Sequence, residues 1–330
     1  MGLLVEGKWV DQWYDTEANK GRFVRTESRF RNWVTADGSA GPSGDGGFQA
    51  QAGRYHLYVS LACPWAHRAL ILRKLKGLED LVGLSVVNPL MGSEGWSFDP
   101  APGVIADPLY GVQYMHQLYT RAASDYSGRV TVPVLWDRER ETIVNNESAE
   151  ILRMFNSAFD AVGARPGDFT PASMLEEIDA INARVLHGVN NGVYRAGFAT
   201  TQEAYDEAVV EVFAMLDELD ARLAERRYLL GARITEADWR LFTTLLRFDA
   251  VYHGHFKCNL RRLVDYPQLW AYARELYQWP GVADTVNMDH IKNHYYRSHP
   301  AINPTGIVPR GPLIDFTTAH GREQLPGRAG

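Results

Sequence analysis

The stretch YHLYVSLACPWAHRALILRKLK, residues 55–76, decides the fold of the first half of the chain. Its first part, Tyr55–Ser60, is rich in aromatic and β-branched residues, which predicts a buried strand. Residues 65–76 predict a helix that ends at Gly77, because glycine commonly ends helices. Cys63 lies between these two elements. The stretch therefore predicts a strand followed by a helix, with a cysteine where the strand gives way to the helix.

The elements downstream of this stretch complete a recognisable order. Leu81–Val87 has the composition of a second strand, and a polar and aromatic insertion follows over residues 88–129. A β-hairpin is predicted within residues 131–144. Asn146 is placed to cap a helix over residues 147–155. The order strand–helix–strand, insertion, strand–strand–helix predicts a thioredoxin-like α/β domain.

The second half of the chain has the apolar spacing of helices alone, beginning after Pro171. One apolar stripe at helical spacing runs from Tyr205 to Leu223. A second helix is predicted to begin at Thr235, where Thr-x-x-Asp resembles a capping box, and a third to begin at Pro267. The second domain is therefore predicted to be all-helical.

The length of 330 residues favours two domains. The expected division is an N-terminal extension over residues 1–50, a thioredoxin-like domain over 51–165, a helical domain over 166–312 and a tail over 313–330. The extension shows neither a helical nor a strand period and includes a Gly-, Ser- and Pro-rich loop over 36–47. The last dozen residues of the tail are expected to be frayed.

Composition and charge exclude several classes of protein. The formal net charge is −6, which makes nucleic acid a poor partner. No stretch is long and apolar enough to cross a membrane, and the N-terminus lacks the apolar run of a signal peptide. Two cysteines form neither a disulfide framework nor, without other ligands, a zinc cage. We expect a cytoplasmic protein with no metal and no membrane or nucleic-acid partner.

Cys63 has the clearest chemical signal in the chain. It precedes Pro64 at the first turn of the predicted helix, where unpaired backbone N–H groups and the helix dipole favour thiolate over thiol. The alternative is a structural cysteine, the commoner fate of a lone Cys. No second cysteine follows three residues on, so an external thiol must resolve any mixed disulfide, and glutathione is the abundant cytosolic candidate. Cys258 has no such context and is expected to be passive.

Three further positions suit a peptide-like thiol ligand. Val132-Pro133 has the position of the cis-proline turn of thioredoxin-like folds, where Val132 backbone groups could pair with an extended ligand; a trans bond is the alternative. Glu147 and Ser148 begin a helix, where they could hold an ammonium and a carboxylate or only cap the helix. Arg129 could pair with a ligand carboxylate or simply be solvated.

Other basic side chains near the two cysteines are weaker candidates. His67, one helical turn after the nucleophile candidate, could act as a base, but packing or surface exposure explains it better. Arg68 could add to the local positive field or only reach solvent. His253 and His255 lie near Cys258, but their spacing fits no strong zinc pattern and lacks a fourth ligand.

Five segments resemble the glutathionyl-hydroquinone reductases, the xi-class group of the glutathione transferase superfamily: LACPWAHRALI, TVPVLWD, IVNNESAEI, GVYRAGFA and HYYRSHPAINPTGIVP. The resemblance covers residues 9–312, and no motif position departs from the family pattern. CPWAHR and NESAEI discriminate best, because cysteine-type omega transferases share only the Cys-Pro start. The family implies a fold of α/β plus all-α type, with a thioredoxin-like N-terminal domain followed by a helical glutathione-transferase C-terminal domain, and a homodimer.

The resemblance also assigns roles to single residues. Cys63 would be the nucleophile, and Tyr194 would donate or accept a proton. Glutathione, the co-substrate, would be held by Trp96, Arg129, Val130, Thr131, Val132, Glu147 and Ser148. The substrate pocket near the sulfur would be lined by Tyr252, Tyr295 and Tyr296. Tyr295 and Tyr296 are adjacent, so which of them faces the cysteine stays open.

The implied activity is glutathione-dependent reduction of glutathionyl-hydroquinones to free hydroquinones, with release of glutathione disulfide. It would proceed through a Cys63–glutathione mixed disulfide, and a tyrosine would protonate the aromatic carbon. An omega-like thioltransferase or dehydroascorbate reductase would use the same cysteine but needs no carbon protonation. A non-catalytic glutathione-fold binding protein needs no nucleophile at all. The tyrosine set argues against the first alternative and Cys63 against the second.

Overall fold

The computed structural model describes residues 2–327, which form two compact units. The first unit comprises residues 2–13, 26–167 and 285–298, and the second comprises residues 14–25, 168–284 and 299–327. None of the helices in this described part of the chain combines the length and apolar character needed to cross a bilayer.

The strands found within residues 2–327 all lie in the first unit. They are β1 (Leu3–Val5), β2 (Lys8–Val10), β3 (Tyr55–Val59), β4 (Val82–Val86), β5 (Met91–Gly92), β6 (Gly95–Trp96), β7 (Gly128–Arg129), β8 (Val134–Asp137) and β9 (Thr142–Asn145). The main sheet has the order β4-β3-β8-β9, with β3 parallel to β4 and antiparallel to β8, and β8 antiparallel to β9. This order and the helices that follow β3 and β9 confirm the thioredoxin-like domain.

The helices divide between the two units. Those of the first unit are α1 (Pro64–Leu75), α2 (Met115–Ala122), α3 (Ser148–Ser157) and α9 (Met288–Ser298). Those of the second are α4 (Leu175–Val185), α5 (Gly192–Gly197), α6 (Gln202–Glu225), α7 (Glu236–Arg247) and α8 (Pro267–Tyr277). Two π-helical turns, Leu186–Asn190 and Phe248–Tyr252, follow α4 and α7. Short 3-10 turns lie at Asp160–Val162, Ala172–Met174, Leu263–Asp265 and Ala283–Thr285.

Helix α1 begins and ends where the sequence predicts. Pro64 occupies its first turn, and Gly77 follows the helix in the left-handed region with φ +61°. Lys76 caps the end of the helix with a fully buried side chain. Its Nζ donates to Asp160 Oδ1 at 2.8 Å and to the carbonyl oxygen of Gly167 at 2.7 Å. These bonds fix the end of α1 opposite Cys63.

Helix α3 corrects a prediction about its cap. The structure places Glu147, not Asn146, at the N-cap, and Glu147 Oε1 accepts the N–H of Ala149 at 3.0 Å. Asn146 instead faces inward, where its Oδ1 accepts the N–H of Phe30 at 3.2 Å and its Nδ2 donates to Tyr119 Oη at 3.2 Å. The side-chain amide of Asn146 is already bonded to Phe30 and Tyr119, so it does not cap the helix. The longer side chain of Glu147 reaches the N–H of Ala149 instead.

The first fifty residues contain strands that the sequence pattern did not reveal. Strands β1 and β2 form a hairpin, and β1 also pairs antiparallel with β7. The turn is Glu6-Gly7, with φ angles of +48° and +73°. Positive φ at both positions is the pattern of a two-residue turn whose twist matches that of paired strands. Each strand has only three residues, too few to show a period.

The helical unit agrees with the predicted pattern. Along α6 the buried face includes Val212, Leu216 and Leu223, which belong to the predicted stripe. Helix α7 begins with the predicted capping box, in which Asp238 Oδ2 accepts the N–H of Thr235 at 2.8 Å. Helix α8 begins with proline in its first turn, as predicted. These observations confirm the all-helical second domain.

The described part of the tail is not frayed. Arg322 is only 2% exposed, and its guanidinium donates to the carbonyl oxygens of Leu223 at 3.2 Å, Arg226 at 2.7 Å and Arg227 at 2.8 Å. Helix α6 ends at this point, and the last carbonyls of a helix have no partner within it. A buried cation that supplies these donors holds the tail in place. Residues 328–330, the last of the stretch predicted to fray, lie outside the described residues.

Candidate active site

Cys63 is the N-cap residue of α1, in the extended conformation with φ −76° and ψ 121°. Its Sγ accepts the N–H of Ala66 at 3.5 Å, so the sulfur satisfies one of the free donors of the first helical turn. The side chain is partly exposed. A cysteine in this position has its sulfur at the positive end of the helix dipole and within reach of a ligand.

The backbone that faces this sulfur comes from the segment before β8. The thiol of Cys63 lies 3.6 Å from the carbonyl oxygen of Val132. The Val132-Pro133 bond is cis, which settles the alternative that the sequence left open. Val132 is 5% exposed and lies just before the strand, not inside the hydrogen-bond ladder of the sheet. The backbone of Val132 therefore lies beside the sulfur of Cys63.

Glu147 and Ser148 lie at the start of α3, where Glu147 caps the helix, one of the two roles considered from the sequence. Besides capping α3, the Glu147 carboxylate accepts from Ser28 Oγ at 3.3 Å and from Ser148 Oγ at 3.4 Å. Arg68 Nη1 donates to Ser148 Oγ at 3.4 Å. The result is a carboxylate, a hydroxyl and a guanidinium at one helix N-terminus, a set that suits the amino and carboxyl groups of an amino acid.

Arg68 and His67 are both buried inside the first unit. Arg68 is 1% exposed, with its guanidinium 4.6 Å from the ring centroid of Trp65, so the expectation that it only reaches solvent is wrong. Its stem and charge are enclosed because Ser148 and the Trp65 ring supply polar and π partners. His67 is also 1% exposed, and its Nε2 lies 2.8 Å from Thr285 Oγ1, which agrees with a packing role.

Arg129 lies in β7, and its guanidinium donates to two backbone carbonyls, those of Trp13 at 2.9 Å and of Gln12. It is therefore held by backbone and is not simply solvated. The side chain lies at the wall of a cavity of about 330 Å³, which is also lined by residues 26–29, 126–128, Thr131 and Asn146.

Val130 and Thr131 continue the chain from Arg129 toward the cis-proline bond. Val130 is 3% exposed. The hydroxyl of Tyr119 donates to the Thr131 carbonyl at 2.9 Å and accepts the Thr131 N–H at 3.2 Å. Burial raises the pKa of Tyr119, so its hydroxyl keeps the proton that it donates. These bonds fix the backbone that leads to Val132.

Trp96 lies in β6 and is 4% exposed. Its indole stacks on the imidazole of His294, with ring centroids 4.8 Å apart and an interplanar angle of 24°. Tyr295 is 1% exposed and its ring meets that of His294 edge-on at 5.2 Å, whereas Tyr296 is only half-buried. Sequence reasoning missed His294, although the segment that contains it, HYYRSHP, was among those that carry the family resemblance.

Tyr194 and Tyr252 come together in the second unit. Their ring centroids are 6.0 Å apart, and Phe256 contacts both rings at 5.5 Å and 5.4 Å. Tyr194 is 8% exposed and Tyr252 is fully buried. The guanidinium of Arg25 lies 5.1 Å from the ring centroid of Tyr194. An aromatic wall with phenol groups and a neighbouring cation suits a flat, electron-rich ring.

Cys258 and its neighbouring histidines do not form a metal centre within residues 2–327, where no group of three or more His, Cys, Asp or Glu is placed to hold a metal. Burial raises the pKa of Cys258 to about 12, so this thiol stays protonated and passive. Burial lowers the pKa of His255 to about 4, and its Nε2 lies 3.2 Å from Nδ1 of His299.

Two family models match the chain. The model of the glutathione S-transferase N-terminal domain matches residues 62–158. The model of the glutathione S-transferase C-terminal domain matches residues 202–275. The first match contains Cys63, the cis-proline turn and Glu147, and the second contains α6, α7 and most of α8.

Similarity to characterised proteins extends over nearly the whole chain. The chain is 59% identical to glutathionyl-hydroquinone reductase YqjG of Escherichia coli K12, over 98% of this chain and 99% of the relative. It is 56% identical to glutathionyl-hydroquinone reductase PcpF of Sphingobium chlorophenolicum, over 94% of this chain and 96% of the relative.

Two solved structures have the same fold. The glutathione-bound structure of Escherichia coli YqjG superposes with a TM-score of 0.91 at 56% identity and covers 98% of this chain and 99% of its own. The xi-class glutathione transferase of Natrialba magadii also superposes with a TM-score of 0.91, at 50% identity, and covers 99% of this chain and 98% of its own. The family resemblance stated from the sequence is thus confirmed. The chain belongs to the glutathionyl-hydroquinone reductases, the xi-class family of glutathione transferases.

Proposed function

We propose that this protein reduces glutathionyl-hydroquinones to free hydroquinones, with glutathione as reductant and glutathione disulfide as the second product. The observation that supports this most directly is the position of Cys63, whose sulfur caps α1 and lies 3.6 Å from the carbonyl oxygen of Val132. A lone cysteine there can form a mixed disulfide with glutathione but has no neighbouring cysteine to resolve it.

In the first step, the Cys63 thiolate attacks the sulfur of the glutathionyl-hydroquinone. A sulfur–sulfur bond forms as the carbon–sulfur bond breaks, and the electron pair of that bond goes to the ring carbon. The carbon takes a proton from a nearby acid, so the hydroquinone is released and Cys63 is left in a disulfide with glutathione. A keto tautomer of the hydroquinone makes the carbon–sulfur bond easier to break.

In the second step, the thiolate of another glutathione attacks the mixed disulfide. Glutathione disulfide leaves, and the Cys63 thiolate is regenerated. The balanced reaction is one glutathionyl-hydroquinone plus one glutathione, giving one hydroquinone plus one glutathione disulfide. The substrate carbon is reduced and two glutathione sulfurs are oxidised, so no further electron carrier is needed.

Glutathione binding is assigned to residues of the first unit. The backbone of Val132, whose carbonyl oxygen lies 3.6 Å from the Cys63 thiol, would pair with the peptide of glutathione, and Glu147 and Ser148 would hold its amino and carboxyl ends at the N-terminus of α3. The positive end of the α3 dipole and the charge of Arg68 support an anion at this position. The remaining members of the proposed set are Trp96, Arg129, Val130 and Thr131.

The proton that the ring carbon takes is assigned to Tyr194. Its burial in an aromatic cluster with Tyr252 supports a role with a flat substrate, since such rings stack on hydroquinones. Of the two adjacent tyrosines in α9, we assign the pocket role to Tyr295, because it is buried beside the Trp96–His294 stack while Tyr296 is half-exposed.

We extend the proposal to a homodimer, a cytoplasmic location and the domain division at residues 50, 165 and 312, from which the compact units differ in placing residues 14–25 with the helical unit and residues 285–298 with the thioredoxin-like unit. The low cysteine content supports a reducing compartment. The two family matches, residues 62–158 and 202–275, fall within the proposed second and third segments.

The reaction is tested with glutathionyl-menadiol and glutathione, by chromatography of free menadiol and glutathione disulfide. We expect equal amounts of both products from the wild type and none from Cys63→Ala. Cys258→Ala is the matched control, because it removes a buried cysteine outside the proposed machinery, and it should keep the activity. Turnover of dehydroascorbate or hydroxyethyl disulfide instead of glutathionyl-menadiol would contradict the proposal in favour of an omega-like enzyme. No turnover of any of the three would indicate a binding protein.

A further inference from the structure

One face of α9 is bonded to the segment of chain that contains Trp96. The three side chains on this face are spaced four residues apart, which places them above one another along the helix. Each bonds to backbone at one side or the other of Trp96: His290 Nε2 to the Pro102 carbonyl at 2.6 Å, His294 Nδ1 to the Pro89 carbonyl at 2.9 Å, and Ser298 Oγ to the Met91 N–H at 3.0 Å.

His294 differs from the other two because it also contacts Trp96 itself. Its ring lies nearly parallel to the indole, with an interplanar angle of 24° and centroids 4.8 Å apart. The Pro89 carbonyl is only an acceptor, so Nδ1 of His294 carries the proton and donates it. That hydrogen bond fixes the plane of the imidazole, and the stacking contact favours a parallel orientation of the Trp96 indole.

The same imidazole meets the ring of Tyr295 edge-on, at 5.2 Å and 74°. His294 and Tyr295 are 6% and 1% exposed, so this arrangement is enclosed. The imidazole therefore contacts both the proposed glutathione-binding tryptophan and the proposed pocket tyrosine.

We propose that His294 is a positioning residue for glutathione binding: it holds the indole of Trp96 in its binding orientation through the hydrogen bond to Pro89 and the ring stack. This inference rests on the proposed role of Trp96 as a glutathione ligand. His294 acts through Trp96 and not on the reacting atoms. A binding side chain that is fixed in advance loses less conformational entropy when the ligand arrives, which is how a supporting residue contributes to affinity.

Three substitutions separate the two contacts. His294→Phe keeps an aromatic face for Trp96 and loses the N–H donor. His294→Asn keeps an N–H close to the position of Nδ1 and loses the ring, and His294→Ala loses both. His187→Ala is the matched control, since it removes a histidine side chain that is 70% exposed and lies in the second unit.

The measurements are the dissociation constant for reduced glutathione, by anaerobic titration calorimetry, and kcat with glutathionyl-menadiol at saturating glutathione. We expect His294→Ala to weaken glutathione binding about tenfold and the Phe and Asn variants to weaken it about threefold, because each keeps one of two modest contacts. The kcat of all three should stay within about twofold of wild type, since the chemistry at Cys63 is not altered.

A double variant tests whether the effect passes through Trp96. Once Trp96→Ala has removed the indole, adding His294→Ala should weaken binding little further, because the two residues act as one unit. Additive losses, or wild-type affinity in the folded His294 variants, would overturn the inference. If Trp96→Ala itself leaves affinity unchanged, the proposed glutathione role of Trp96 fails, and this inference fails with it. The Phe and Asn variants decide the matter if His294→Ala does not fold.

Discussion

Removal of the Arg322 side chain should destabilise the helical unit although the residue lies only a few positions from the end of the chain. Its guanidinium satisfies carbonyl oxygens of Leu223, Arg226 and Arg227, where α6 ends. Its Nε also lies 3.3 Å from Glu275 Oε2, a carboxylate whose other oxygen accepts from Arg227 Nε at 2.6 Å. Arg322→Ala thus leaves buried carbonyls and a buried carboxylate with fewer partners.

The magnitude follows from the kind of bonds that are lost. A hydrogen bond from a charged donor contributes about 1.5–3 kcal/mol, and removing one partner of a buried ion pair costs about 3–5 kcal/mol. Arg227 still pairs with Glu275, and water can enter the space that the side chain vacates, so we expect a loss of about 3 kcal/mol. For a unit of this size that corresponds to a fall in Tm of roughly 6–12 °C.

Thermal unfolding followed by circular dichroism measures this change, with Arg297→Ala as the control for loss of an exposed arginine. Arg322→Lys should fall between wild type and Arg322→Ala, because one ammonium group cannot reach all of the carbonyls that the planar guanidinium reaches. A Tm for Arg322→Ala within about 1 °C of wild type would refute the reasoning and would mean that the tail detaches at little cost.

Two further predictions concern stability. Burial lowers the pKa of His255 to about 4, well below that of an unfolded histidine, so protons bind the unfolded chain first as the pH falls. The contribution of His255 to the free energy of unfolding is complete above about pH 6.5 and falls by about 3 kcal/mol as the pH is lowered to 4. Urea titrations at several pH values should therefore show that the free energy of unfolding declines less steeply with falling pH in His255→Asn than in the wild type. Thr235→Ala removes one half of the α7 capping box and should lower the free energy of unfolding by about 1 kcal/mol, whereas Thr318→Ala, on the exposed tail, should change it by less than about 0.5 kcal/mol in the same titration.

The parts of the fold that could be predicted are those whose signals are local. The strand–Cys63–helix connection depends on the tyrosines and Val59 of the strand, a proline in the first turn of the helix and a glycine after the last, all within one stretch of chain. The α7 capping box depends on two residues three positions apart. In such segments the local conformational preference and the tertiary structure agree.

The parts that could not be predicted depend on partners far along the chain. Arg322 is buried because α6 ends beside it, and Arg68 is buried because its guanidinium reaches Ser148, which lies 80 positions later in the chain. Nothing next to either arginine in the sequence distinguishes it from a solvated one. His294 was missed for the same reason, since the Pro89 carbonyl that orients it lies about two hundred positions earlier in the chain.

Within the candidate site, the sequence located the sulfur, the cis-proline turn and the α3 N-terminus, because each is tied to a strand or helix end that has its own signal. It misassigned the α3 cap to Asn146, since Asn is the better cap in isolation. The structure uses Glu147 because Asn146 is bonded to Tyr119 and to the backbone of Phe30.

The unit that contains Cys63 is discontinuous along the chain, and this has a consequence for how it is made in the cell. Its last piece, Thr285–Ser298, follows the long stretch Asp168–Asp284 that belongs to the other unit. During translation the Trp96 segment therefore emerges long before the α9 side chains that bond to it. The first unit therefore cannot complete its native contacts before most of the second unit has been synthesised, although N-terminal domains commonly fold first during synthesis. A chain truncated in the helical region would contain Cys63 but would lack the α9 side chains that bond to the segment around Trp96.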